Sequence, residues 1–140
     1  MEAYKELCRL HLEKQKNFSY PVKYRYKPDS ANGLTRCIKD YINLIGGFAR
    51  RINTIGQWVQ PKAKEGIIQK GYYRKASSTK GESDISFVYK GKSFAVEVKW
   101  NKDKQSEYQK KFQEKFERSG GYYYEARSFQ EFYNWFNQFK

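Results

Sequence analysis

The spacing of Tyr4, Leu7, Cys8 and His11, at i, i+3, i+4 and i+7, predicts an amphipathic helix over 3–16. The same period carries Leu34, Cys37, Ile38, Tyr41, Ile42 and Ile45, a second helix over 31–45. Asp29 or Ser30 can cap it, and Gly46 and Gly47 end it. The stretch between them, NFSYPVKYRYKPDS, holds two prolines and reads as an extended connector. Residues 48–53 and 57–59 read as short strands. Residues 60–80 are basic, contain Gly and Ser, and show no period, which predicts a long loop, functional or mobile. The period then becomes two: 84–89 and 93–98 form a strand pair turning at Lys90 and Gly91. A polar helix over 104–118 follows, with Tyr108, Phe112 and Phe116 on one face, and Gly120 and Gly121 break it. Residues 122–126 are a further strand. Ser128 caps a last helix that turns Phe129, Phe132, Tyr133 and Phe136 inward. This order, α–α–β–β–β–β–α–β–α, is that of an α/β domain with a central sheet flanked by helices.

The hairpin strands bring in candidate chemistry. Side chains alternate across a strand, so Phe94, Val96 and Val98 face the core while Glu97 and Lys99 share the opposite face. Asp84, at the start of the neighbouring strand, can reach that face. Two carboxylates are hard oxygen ligands for Mg²⁺ or Mn²⁺, and the backbone carbonyl of Val98 is a candidate third ligand. Lys99 beside such a site can orient an attacking water or neutralise developing charge. The competing reading is a solvated ion-pair cluster that contributes little.

Charge and composition narrow the partner. The formal net charge of +13 over 140 residues is spread along the whole chain, which ranks nucleic acid first, anionic membrane second and acidic protein third. Thirteen tyrosines, ten phenylalanines and three tryptophans supply a core and argue against disorder. No apolar run is long enough to span a membrane and no secretory signal is visible. Cys8 and Cys37 are too few for a disulfide scaffold, so reduced thiols and a cytoplasmic setting are expected. Cys8-x-x-His11 lacks the further ligands a zinc site needs. Lys62, Lys64, Lys70, Arg74, Lys75 and Lys80 form a candidate phosphate-contacting set. Arg51 and Asn53 share strand parity and are expected to face substrate, whereas the tyrosines at 122–124 are expected to pack.

The ordered set Gly81-x-x-Asp84 … Glu97-x-Lys99 resembles the PD-(D/E)xK nuclease motif. Its flanks resemble the VRR-NUC (virus-type replication-repair nuclease) domain. RRINT at 50–54 is similar to that family's R-x-N-T-G stretch, with Ile55 intervening before Gly56. KGESDI at 80–85 matches K-G-x-x-D-I, and Ser106-x-x-Gln109 fits its S-x-x-Q helix start. The likeness covers about 32–135 and extends to the final strand and helix.

The resemblance implies a restriction-endonuclease-like core (αβββαβα) over 31–140, preceded by a helix and connector over 1–30. It implies Asp84, Glu97 and Val98 as metal ligands and Asp84, Glu97, Lys99 and Gln109 as the catalytic set. Nucleic-acid contacts are expected from Arg51, Asn53, Lys80, Ser83, Lys102 and Lys104. The implied protein is a homodimeric, bacterial or phage-encoded Mg²⁺- or Mn²⁺-dependent endonuclease on branched DNA such as Holliday junctions. The alternative is a basic nucleic-acid-binding protein on an inert nuclease fold. One position departs from the family: the helix glutamate falls at about Gly33, so either Asp84, Glu97, the Val98 carbonyl and waters hold the metal alone, or Asn32 or Asp40 substitutes.

Overall fold

A computed structural model describes residues 2–20, 26–52, 56–61, 70–75 and 79–140. Among these residues the chain forms α1 (Glu2–Lys14), α2 (Ala31–Leu44), β1 (Phe48–Arg51), β2 (Gln57–Val59), β3 (Tyr72–Arg74), β4 (Ile85–Tyr89), β5 (Lys92–Val98), α3 (Glu107–Arg118), β6 (Tyr122–Ala126) and α4 (Phe129–Asn137). The main sheet runs β1-β4-β5-β6. Its first two pairings are antiparallel and β5–β6 is parallel, so the protein is a mixed α/β structure. The β5–β6 pair needs a crossover, which α3 supplies.

The period-two pattern of the hairpin sets the layers. Ile85, Phe87, Tyr89, Phe94, Val96 and Val98 are buried on one face, beneath α2 and α4. Phe87 and Phe94 stack with centroids 4.6 Å apart, and Phe136 of α4 meets both edge-on. Helix α1 packs against α2 and α4 and adds Ala3 and Leu7 to the same core. The opposite face carries Ala95, Glu97, Tyr123 and Glu125 and is covered by α3, whose Phe112 lies 6.4 Å from the Tyr123 ring.

The capping residues read from the sequence hold, with Ser30 rather than Asp29 closing α2: its Oγ accepts from Gly33 N–H. Ser128 caps α4 in the same way. Two elements differ from expectation. α3 begins at Glu107, not 104, because Ser106 and Gln109 form a reciprocal capping box that fixes the start. The expected loop over 60–80 contains β3, which pairs with β2 in a separate antiparallel ribbon between β1 and β4 in the chain. Three residues are too few to show a period, and their partner strand is equally short. Asn53, Lys62 and Lys64 lie outside the described residues.

Candidate active site

Three adjacent strands bring carboxylates to the face beneath α3. Ile85 pairs with Val96, so one step further along the register sets Asp84 beside Glu97. Glu97 in turn pairs with Glu125 on β6. The Asp84 backbone is held by Ile52 N–H, which donates to its carbonyl at 2.8 Å. Its side chain is held by Val98 N–H, which donates to Oδ2 at 2.9 Å. Asp84 therefore spans from the β4 start to the end of β5.

The first turn of α3 closes the site. Gln109 Nε2 donates to Glu97 Oε1 at 2.5 Å, while Gln109 Oε1 accepts from Lys99 Nζ at 2.9 Å and from Ser106 N–H at 2.8 Å. Lys99 Nζ also lies 3.1 Å from Glu97 Oε1. One glutamine thus caps its helix and fixes both the acid and the base of the E-x-K pair. S-x-x-Q is a capping-box signature in its own right, so the sequence held a physical reason for Gln109 beyond the resemblance.

Gly81 explains how α3 comes so close. Its φ is +85°, and a Cβ there would sit 2.3 Å from the Tyr108 carbonyl oxygen. The loop before β4 and the start of α3 touch backbone to backbone, which only glycine permits. Lys80 next to it lies over the Tyr108 ring, 3.7 Å from the centroid.

Glu97 and Lys99 are only 4% and 7% exposed, so they are not a solvated surface pair. Burial pushes the Glu97 carboxyl up to about 7; Asp84 adds to the rise, while Lys99 opposes it. Burial also raises the Tyr123 hydroxyl, with Glu97 adding to it. Glu97 Oε2 is buried and has no hydrogen-bond partner. An orphaned carboxylate oxygen is costly in a dry site, and a hard cation is the ligand chemistry that satisfies it. Among the described residues no three His, Cys, Asp or Glu side chains form a metal-holding group. Asp84 and Glu97 are the carboxylates there that could hold a hard cation, with the expected Val98 carbonyl next to Glu97 in the chain and solvent completing the shell. That suits Mg²⁺, which keeps several waters.

The helix-acid position is closed as well as lacking an acid. A Cβ on Gly33 would fall 1.8 Å from the Lys27 carbonyl oxygen, so the connector occupies the space. Asn32 accepts from Arg51 at 2.8 Å. Asp40 lies two turns further along α2, pairs with Lys39 at 3.2 Å, and lines a cavity with His11, Tyr26 and Asn43. Asp40 does not take the missing acid's place.

Several expected substrate contacts move. Ser83 is 1% exposed and its Oγ donates to Ile85 O at 3.1 Å, so its hydroxyl is spent on the turn and unreachable by phosphate. Arg51 shares the parity of Ala49 and reaches Asn32 on α2; Arg50, paired with Ser86, lies on the carboxylate face instead. Lys80, Lys102 and Lys104 are exposed beside the site. Two residues that sequence reasoning missed complete the neighbourhood. Glu125 receives Arg127 at 2.6 Å, and Arg127 also donates to the carbonyls of Asn101 and Asp103, at 3.2 and 3.0 Å. It thereby anchors the loop carrying Lys102 and Lys104. Strand parity within YYYEA, next to E-x-K, was the readable signal for Glu125.

No protein-family model matches the chain, and no curated protein matches it. Cys8 and Cys37 carry free thiols. Among the described residues no helix is long and apolar enough to cross a membrane.

Proposed function

We propose that the protein is a metal-dependent DNA endonuclease with a restriction-endonuclease-like core of the VRR-NUC type. The observation that carries this reading is the buried Glu97–Lys99 pair beside Asp84, tied together by the half-buried Gln109, in which Glu97 Oε2 has no partner. Burying an acid and a lysine costs stability, and the unpartnered carboxylate oxygen adds to that cost. The element order α2-β1-β4-β5-α3-β6-α4 is compatible with the αβββαβα core. The charge of +13 supplies attraction for a phosphate backbone.

In this mechanism Asp84 and Glu97, with the Val98 carbonyl, would hold Mg²⁺ or Mn²⁺. When bound, the ion neutralises charge on the scissile phosphate and lowers the pKa of a bound water. The water releases a proton to solvent as its oxygen adds to phosphorus in line, the P–O ester bond opposite breaks, and the leaving oxygen takes a proton from solvent. Lys99 keeps its charge at Nζ, fixed by Gln109, where it orients the water or stabilises the charge gathered on the phosphate. Val98 N–H keeps Asp84 from swinging away. Lys80, Lys102 and Lys104 contact phosphates around the centre. The preferred substrate is branched DNA such as a four-way junction. A homodimer in the cytoplasm of a bacterium or phage-infected cell presents two centres to it.

A second reading has one observation behind it: the Lys27 carbonyl bars any side chain at Gly33. With fewer donors, the site is weak and the protein binds nucleic acid without cutting it. Calorimetric titration with Mn²⁺ separates the two. The nuclease reading expects one binding event that disappears in Asp84→Ala; no Mn²⁺ binding by the wild-type protein overturns it. A cleavage panel of duplex, single strand, flap, splayed arm and four-way junction then identifies the substrate.

A further inference from the structure

The β2–β3 ribbon makes no substantial contact with any other described element. Its two strands pair Trp58 with Tyr73, which places both rings on one face. Each ring lies over a glycine of the opposite strand. A Cβ on Gly71 would fall 2.5 Å from the Trp58 indole, and one on Gly56 would fall 2.1 Å from the Tyr73 hydroxyl. The two glycines remove the side chains that would otherwise prop the rings upright, so the indole and the phenol lie flat and uncovered. Trp58 is 63% exposed and Tyr73 60%. Two large aromatic faces left to solvent on an isolated ribbon are unfavourable unless something stacks on them.

The charge around them selects the occupant. The described ribbon residues 56–61 and 70–75 hold no acid; Lys75, two positions beyond Tyr73, shares the face of the rings, while Arg74, paired with Gln57, and Lys70 alternate to the other face. A cation beside exposed aromatic rings, with further cations along the same acid-free ribbon, is the recognition chemistry of unpaired nucleotides: each base stacks on a ring while the basic side chains meet the backbone. A protein partner that covered this face would have to bring compensating acids; a nucleic acid brings phosphates and π-faces together.

We infer that the Trp58–Tyr73 face of the β2–β3 ribbon is a stacking platform for unpaired bases of the substrate. It gives the protein its preference for DNA that contains unpaired or openable positions over continuous duplex. The inference rests on the nucleic-acid part of the proposed function and is independent of the cutting chemistry.

The test uses the full chain in EDTA, where no cutting occurs. Fluorescence anisotropy compares a labelled duplex containing a short thymidine gap with a continuous duplex of the same length. Trp58→Ala and Tyr73→Ala are each expected to weaken binding to the gapped DNA roughly tenfold and to the continuous duplex by about twofold or less. Trp58→Phe, which keeps a stacking ring, retains most of the affinity. Equal loss on both DNAs, or no loss on either, overturns the platform. So does sedimentation showing that Trp58→Ala turns a dimer into a monomer, which assigns the face to a second copy of the chain. A wild-type protein that discriminates gapped DNA through Trp58 yet never cuts with Mn²⁺ upholds the platform and removes the nuclease reading. Cutting with unaltered substrate preference in Trp58→Ala does the reverse.

Discussion

At the scale of single residues, the alternation of FAVEVKW was enough to place Glu97 and Lys99 on the face away from the core. What alternation cannot show is how dry that face is, because dryness depends on α3 arriving from elsewhere in the chain. The difference has a consequence for pH. Glu97 is held up to about 7 from an ordinary value of 4.5, chiefly by burial. The folded chain thus holds a proton that the unfolded chain has already lost between these values. Its stabilising effect is full at low pH and vanishes as pH rises through about 7. A metal ligand must be deprotonated, so added Mn²⁺ works in the opposite sense. Thermal unfolding with and without Mn²⁺ at pH 6 and pH 8 is expected to show a larger metal-induced rise in Tm at pH 8. An equal or larger rise at pH 6 contradicts Glu97 as a ligand. Ser83 illustrates the other limit of residue-level reading. The resemblance of its segment to a nuclease motif implies a phosphate contact, yet the turn into β4 consumes its hydroxyl.

At the scale of elements, the helices and the hairpin were legible because they are long or strongly periodic. β3 was not, because a three-residue strand in a two-stranded ribbon carries no periodic signal. The proposed site is built on an approach between elements: the Gly81 loop against the first turn of α3. Two glycines with positive φ allow a controlled comparison. Gly91 has φ +75° in the hairpin turn and open space around it, whereas Gly81 has φ +85° with the Tyr108 carbonyl where a Cβ would go. Gly91→Ala is expected to cost about 1 kcal/mol from backbone strain alone. Gly81→Ala is expected to cost about 2 kcal/mol or more and to push Gln109 away from Glu97 and Lys99. Denaturant unfolding measures the two costs. A cleavage rate that falls well beyond the loss of DNA affinity in Gly81→Ala alone supports the positioning role; equal behaviour of the two variants refutes it.

At the scale of the whole molecule, three features combine: a basic surface, a dry E-x-K centre under α3, and a ribbon standing apart from the core. The charge and the E-x-K spacing were readable in the sequence, whereas the dryness of the centre under α3 was not. The ribbon's aromatic face was not, since it arises from which glycine lies opposite which ring. The connector's intrusion at Gly33 was also hidden, because it depends on where Lys27 passes over α2. The central claim is that Asp84, Glu97, Lys99 and Gln109 form a metal-dependent cutting centre. The most direct measurement is the rate at which wild-type, Glu97→Ala and Lys99→Ala proteins cleave a four-way junction with Mg²⁺ or Mn²⁺, alongside junction affinity in EDTA. The account predicts wild-type cleavage that requires the metal, a loss of at least about a hundredfold in each variant, consistent with removal of a transition-state contact, and nearly unchanged affinity. Undiminished cleavage by either variant would contradict it.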